Sequence, residues 1–172
     1  MLIDFKKIKL EKIHFVNEKN INNNWKSIDI KYDNKKLEFI TPLIYMPFGI
    51  ENEYNNYILK LQFNGAKNNT NSDLIHFYNF IEKLEKNIIE YLKIDKIKFK
   101  SSICIKHNYD NLLKAKFNSY KKRINCKINS NNYTTIYEIP KKTWIKCILY
   151  IDKIIFNEEI YTCKFIIKEI CV

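Results

Sequence analysis

Glycine and proline are scarce in this chain of 172 residues, which holds two of the first and three of the second. Loops that cradle phosphate with backbone N–H groups need clustered glycines, so P-loop and Gly-x-Gly-x-x-Gly sites are nearly excluded, and no Gly-x-Ser-x-Gly elbow occurs. The histidines, His14, His76 and His107, are scattered and lack the i, i+4 spacing of a zinc helix. There is no Cys-x-x-Cys pair either. No apolar run reaches the roughly 18–20 residues that a membrane helix needs. Met1 to Lys7 alternates like a strand rather than a signal peptide. The five cysteines (Cys104, Cys126, Cys147, Cys163, Cys171) are odd in number and well separated, and they read as reduced, buried thiols of an intracellular protein. Glu158-Glu159 falls in a turn and Glu82/Glu85 on a helix surface, so both read as solvated faces. The expectation is a protein that is not an enzyme, with no cofactor and no metal site.

Two of the three prolines and one of the two glycines lie together. Pro42, Pro47 and Gly49 all fall within Ile40-Thr41-Pro42-Leu43-Ile44-Tyr45-Met46-Pro47-Phe48-Gly49-Ile50, the one stretch whose backbone path is tightly specified. Elsewhere, turns must use Asn and Asp, which tolerate left-handed conformations. Before this stretch, residues 2–16 alternate loosely as a strand with a break near Glu11-Lys12. Asn17–Asn24 reads as a polar loop, and Ile28–Tyr32 with Leu37–Phe39 reads as a hairpin. After it come a strand over Tyr57–Phe63, a polar loop over 66–72, and a helix from Asp73 to about Lys93 capped by Ser72 or Asp73. The helix stripe is Leu74, Phe77, Ile81, Leu84, Ile88 and Leu92.

Then the period changes to two. Ile97, Phe99, Ile103 and Ile105 share one face, while Lys98, Lys100, Ser102, Cys104 and Lys106 share the other. Leu113, Ala115 and Phe117 point inward and Lys114 and Lys116 outward. Short strands are expected near Ile124–Ile128 and Tyr133–Ile139. Thr143–Ile151 and Ile160–Cys171 read as long strands central to the sheet. Strands, one helix and strands again imply a single domain, 1–172, mainly β with one long helix: a β-barrel or sandwich with an inserted helix.

Lys, Asn, Ile, Tyr and Phe are all inflated, the mark of an A+T-rich genome, and the chain carries +11 net with Arg123 as its only arginine. The excess is localised. Between Lys93 and Ile128 eleven basic residues face only Asp95 and Asp110, a net of +9. Basic side chains on one sheet face can track a phosphate backbone, and exposed rings beside them can stack on bases. The candidate nucleic-acid-binding residues are Lys98, Lys100, Lys106, Tyr109, Lys114, Lys116, Tyr120, Lys121, Lys122, Arg123 and Lys127. Phe117 faces inward and is left out.

The stretch Thr41-Pro42 through Met46-Pro47-Phe48-Gly49-Ile50 leads into a strand, a helix of about twenty residues, basic strands and two long terminal strands. This order resembles the phage-type single-stranded DNA-binding proteins, a version of which large cytoplasmic DNA viruses also carry. The resemblance spans roughly residues 36–170. It implies an OB-type β-barrel with an inserted α-helix, and non-catalytic coating of single strands in viral DNA replication, recombination or repair. It also implies a setting in the host cytoplasm or a viral factory. The basic, aromatic-bearing face of that family corresponds here to Lys98, Lys100, Lys106, Lys114, Lys116 and Lys121-Lys122-Arg123, with Tyr109 and Tyr120.

Two features depart from the family. The sequence closes on Phe165–Val172 without the long acidic tail that contacts polymerase, so recruitment of replication partners through a tail is in doubt. Tyr161-Thr162-Cys163-Lys164 stands where viral relatives tend to show Gly-x-x-Trp. The expected partner is single-stranded DNA, with RNA and homo-oligomer formation left open and no membrane. The alternative is a structural virion or viral-factory protein on the same barrel without DNA binding.

Overall fold

A computed structural model of the protein describes residues 2–54, 56–66, 70–105, 107–121 and 123–172. Strands β1 (Leu2–Asp4), β2 (Ile13–Asn20), β3 (Lys26–Tyr32), β4 (Leu37–Ile40), β5 (Ile44–Met46), β6 (Ile50–Glu53) and β7 (Asn56–Gln62) precede helix α1 (Ser72–Leu92). After it come β8 (Phe99–Lys100), β9 (Ile103–Cys104), β10 (Leu112–Tyr120), β11 (Arg123–Asn125), β12 (Lys127–Asn129), β13 (Thr143–Phe156) and β14 (Tyr161–Cys171). The protein is therefore mainly β with one long helix.

The two longest strands organise the rest. In β13 the residues Ile145, Cys147, Leu149, Ile151 and Ile154 are fully buried. A register shift between Ile151 and Ile154 absorbs the change of phase, so both still point inward. β13 pairs antiparallel with β3, β4 and β5 on one edge and with β14 on the other. β14 in turn pairs in parallel with β10, β8 and β12. β10 is antiparallel to β7, and β7 meets β5 at the single pair Tyr45–Gln62. The path β13–β5–β7–β10–β14–β13 is thus a partial ring, thinly joined between β5 and β7.

Helix α1 packs its stripe (Leu74, Phe77, Ile81, Leu84, Ile88, all fully buried) on the inward side chains of this sheet. Phe77 meets Phe5 at 5.1 Å and Phe63 at 5.8 Å between ring centroids, and Phe39 lies 6.3 Å from Phe165. Each such side chain contributes about 1.5–3 kcal/mol by leaving water. The helix starts on Asn71, whose Oδ1 accepts from Leu74 N, one residue before the expected caps Ser72 and Asp73. It ends on Lys93 in a left-handed conformation, φ 52°. With glycine so rare, left-handed positions fall to Asn17, Asp33, Asn34, Tyr54, Lys93, Lys121 and Lys142. Asn and Asp take three of these seven. The others accept a steric cost on the order of 1–2 kcal/mol.

The proline-rich stretch is fastened to β13. Thr41 N donates to Cys147 O at 2.8 Å, and Cys147 N donates back to Thr41 Oγ1 at 2.9 Å. Gly49 has φ +73°, and a side chain there would crowd Lys141.

Several sequence expectations are corrected. Residues 17–20 extend β2 instead of opening a loop, because β2 pairs with β3 out to Asn20–Lys26 across a bulge. β3 and β4 do not form a hairpin ladder. The chain does turn tightly at Asp33-Asn34, but among the described residues the pairing stops at the isolated Tyr32–Lys35 bridge, and β3 and β4 each pair with β13 instead. Ile97 and Ile105 are 91% and 74% exposed, whereas Phe99 and Ile103 are buried. Asp95 caps a 3-10 turn over Lys96–Lys98, which breaks the period-two phase at Ile97. The strand expected over Tyr133–Ile139 is a 3-10 turn, Ile136–Glu138, held by Glu138 accepting from the backbone of Thr134 and Thr135. Of the polar loop expected over 66–72, residues 67–69 lie outside the described residues.

Candidate nucleic-acid interface

Three neighbouring strands bring lysines to one outward face. On β10, Leu113, Ala115 and Phe117 are buried, so Lys114 and Lys116 point away from the core. Across the β7 ladder Lys114 lies opposite Lys60, and Lys116 opposite Ile58. On the other side, Ala115 and Lys116 pair with Phe165 and Ile166 of β14. With Cys163 and Phe165 buried, Lys164 is outward as well. β8 adds Lys100, which pairs with Thr162. Lys100, Lys114, Lys116 and Lys164 line one cavity of about 300 Å³. Ser101, Ser102 and Thr162 contribute hydroxyl groups to its lining, and Trp25, Tyr54 and Ile160 contribute apolar surface.

The charges in this cavity are unequally answered. Two lysines directly opposed on a ladder repel, and β6 supplies the counter-charge. Lys60 Nζ lies 2.5 Å from Glu51 and 3.2 Å from Glu53, and Lys114 is ion-paired with Glu53. The hydrogen bond from Lys114, reinforced by Lys60, holds the Glu53 carboxyl below its usual range. Lys100, Lys116 and Lys164, by contrast, make no ion pair or side-chain hydrogen bond among the described residues. Burial, and then the charges of Lys116, Lys100 and Lys114, push the Lys164 ammonium below the ordinary lysine value.

The floor is held from the helix. Glu85 is buried, and its carboxylate accepts from Ser101 Oγ at 2.6 Å and Ser102 N at 2.7 Å. Ser102 Oγ donates to Cys163 O at 2.7 Å. The segment carrying Lys100 is thereby tied to both α1 and β14. Burial raises the Glu85 carboxyl above its usual value against the pull of these two donors. Tyr54 is 96% exposed at φ 50°, on the β6–β7 turn at the cavity rim. A non-glycine residue in that conformation at a cleft is a strained position of the kind that accompanies binding sites. Trp25 is half-buried on the β2–β3 turn, where its backbone N donates to Asn22 Oδ1.

Of the residues expected from sequence, the structure gathers Lys100, Lys114 and Lys116 in this cavity. Lys98 is turned to another corner, where its Nζ donates to Glu158 O at 2.9 Å. Tyr120, Lys121 and Arg123 form the exposed tip of the β10–β11 hairpin, with Tyr120 opposite Arg123 and Lys121 Nζ 5.4 Å from the Tyr120 ring centroid. Tyr120 shares the outward face of β10 with Lys116, four residues or about 13 Å along the strand. Tyr109 is 72% exposed in the loop before β10 and does not line the cavity. Lys127, on β12, is ion-paired with Glu169 at 3.3 Å. Lys106 and Lys122 lie outside the described residues. Sequence reasoning missed Lys164, Lys60, Trp25 and Tyr54.

A larger cleft of about 1070 Å³ opens between the β2–β3 and β13–β14 turns. Its lining is rich in asparagine and includes Glu158 and Glu159, and its one lysine, Lys26, is paired with Glu18 at 3.0 Å, so it offers a polyanion little. All five cysteines are free, and burial pushes the Cys126 thiol up to about 12 and the Cys147 and Cys163 thiols up as well, so these three are protonated at neutral pH. Among the described residues no helix is long and apolar enough to cross a membrane, and no group of His, Cys, Asp and Glu is arranged to hold a metal ion.

No protein-family model matches the chain, and a comparison with curated proteins finds no match.

Proposed function

We propose that this protein is a non-catalytic, sequence-tolerant single-stranded DNA-binding protein of OB type that acts in viral DNA replication, recombination or repair. The observation that carries the binding reading is the convergence of Lys100, Lys114, Lys116 and Lys164, from three strands, on one cavity flanked by Trp25 and Tyr54. Lysine offers donors and no acceptor, so this surface calls for a ligand rich in acceptors, and its unpaired positive charge favours anionic oxygens. Phosphates do, and the flanking rings give unpaired bases a surface to stack on, worth about 1–3 kcal/mol per base without a sequence code.

The OB-type reading is supported by the partial ring of five strands, in which β10–β14 is the one parallel pair, and by the helix that covers its core. The viral setting, in host cytoplasm or a viral factory, rests on the family resemblance and the A+T-rich composition. Fluorescence anisotropy of a labelled oligothymidylate at two salt concentrations tests the proposal, and a matched RNA oligomer in competition decides between the two polymers. Binding that is strong at low salt and falls steeply with added salt is expected. Binding no tighter than that of an unrelated lysine-rich protein overturns it and leaves a structural role on the same fold.

A further inference from the structure

The cavity is unlike an open track for a continuous phosphate backbone, because it is basic on one side while on the other each lysine is already matched by a carboxylate. Lys100, Lys116 and Lys164 make no ion pair among the described residues, and they share about 300 Å³. Beyond them on the β6–β7 side, Lys114 and Lys60 are already committed to Glu53 and Glu51. A strand laid across β10 from the Tyr120–Arg123 tip would pass Lys116, enter the basic end, and meet only ion-paired, mutually neutralised charges if it continued.

An internal phosphodiester carries one negative charge. A terminal phosphate monoester carries nearly two at neutral pH and offers three strong acceptor oxygens. Three uncompensated ammonium groups in so small a space suit the second better, and lysine binds phosphate as a point charge without needing planar geometry. The Thr162 hydroxyl, also in the lining, makes no side-chain hydrogen bond among the described residues.

We infer that the Lys100–Lys116–Lys164 cavity is a pocket for a terminal phosphate monoester of a nucleic-acid strand, closed at its far side by the Glu53–Lys114 ion pair. The protein then binds strand ends in preference to strand interiors. This rests on the strand-binding reading above. The depressed Lys164 ammonium agrees with it, since a dianion in the cavity would relieve the repulsion that lowers it.

The test compares short oligothymidylates of one length bearing a 5′-phosphate, a 3′-phosphate or hydroxyl groups at both ends, in anisotropy competition, with inorganic pyrophosphate as a separate competitor. One of the two phosphate-ended oligomers should bind at least about tenfold tighter than the hydroxyl-ended one, as charge-assisted hydrogen bonds of this kind imply. The variant K100Q/K116Q/K164Q should abolish that preference, while K7Q/K83Q should retain it. Equal affinity for all three oligomers overturns the inference and leaves strand binding intact. Pyrophosphate competing as well as the best oligomer overturns it in favour of a free polyphosphate ligand. No binding of any oligomer above a lysine-rich control overturns both.

Discussion

Replacing Lys100, Lys116 and Lys164 together by glutamine removes the three unpaired charges of the cavity and leaves Lys114 with its partner Glu53. For single strands, each phosphate neutralised contributes about 0.7 to the slope of log affinity against log salt. Three contacts in the native protein, with Lys114 held by Glu53, give a slope of about −2, so a fourfold rise in salt weakens binding by about 18-fold. With those contacts gone the same rise leaves binding almost unchanged. Glutamine keeps most of the lysine stem, and removing mutually repelling charges from the surface should leave stability within about 0.5 kcal/mol. The assay is anisotropy of a labelled oligothymidylate over a salt series, with a thermal melt of each variant. An unchanged slope refutes the reasoning. So does an equal loss from K7Q/K83Q/K86Q, whose lysines are exposed and outside the cavity.

Three further outcomes follow from the scaffold. Thr41→Val leaves the buried Cys147 N–H without its 2.9 Å acceptor, and should cost about 1–3 kcal/mol in urea denaturation, with T41S restoring most of it. Burial raises the Glu85 carboxyl in the folded state, so the folded protein holds its proton to higher pH than the unfolded chain does. This group's contribution to stability is therefore full below the ordinary carboxylate value, about pH 4, and is lost as pH rises towards the raised one. Thermal melts over that window should show this fall in the native protein and a flatter profile in E85Q. Phe39→Ala opens a space among Phe77, Phe80 and Phe165, and should cost about 3–5 kcal/mol in the same denaturation assay.

The helix and the two long strands were legible because their apolar residues recur over long stretches, although β13 was legible only to Ile151, where its phase breaks before the strand runs on to Phe156. Lys100, Lys114 and Lys116 were legible for a related reason: alternation alone fixes which way they point. Lys164 was not. It sits singly in an apolar run, and only the parallel β10–β14 pairing, between strands over forty residues apart, carries it to the others. Trp25 and Tyr54 stand on turns, where no period assigns a direction, and their relevance appears only once the turns converge on the cavity. The misplacements of Ile97 and 133–139 share one cause. In short segments a capped 3-10 turn competes with strand geometry, and a few side-chain hydrogen bonds decide the outcome.

The proposed strand site on one face of the sheet is tested most directly by NMR titration of the isotopically labelled protein with oligothymidylate, following backbone amides, lysine side chains and the Trp25 indole. Shifts should concentrate on Lys100–Ser102, the outward positions of β10 and β14, and Trp25, with Trp144 and the outer face of α1 unmoved. Shifts centred on the asparagine-lined cleft between the β2–β3 and β13–β14 turns, or spread evenly over all exposed lysines, would contradict it.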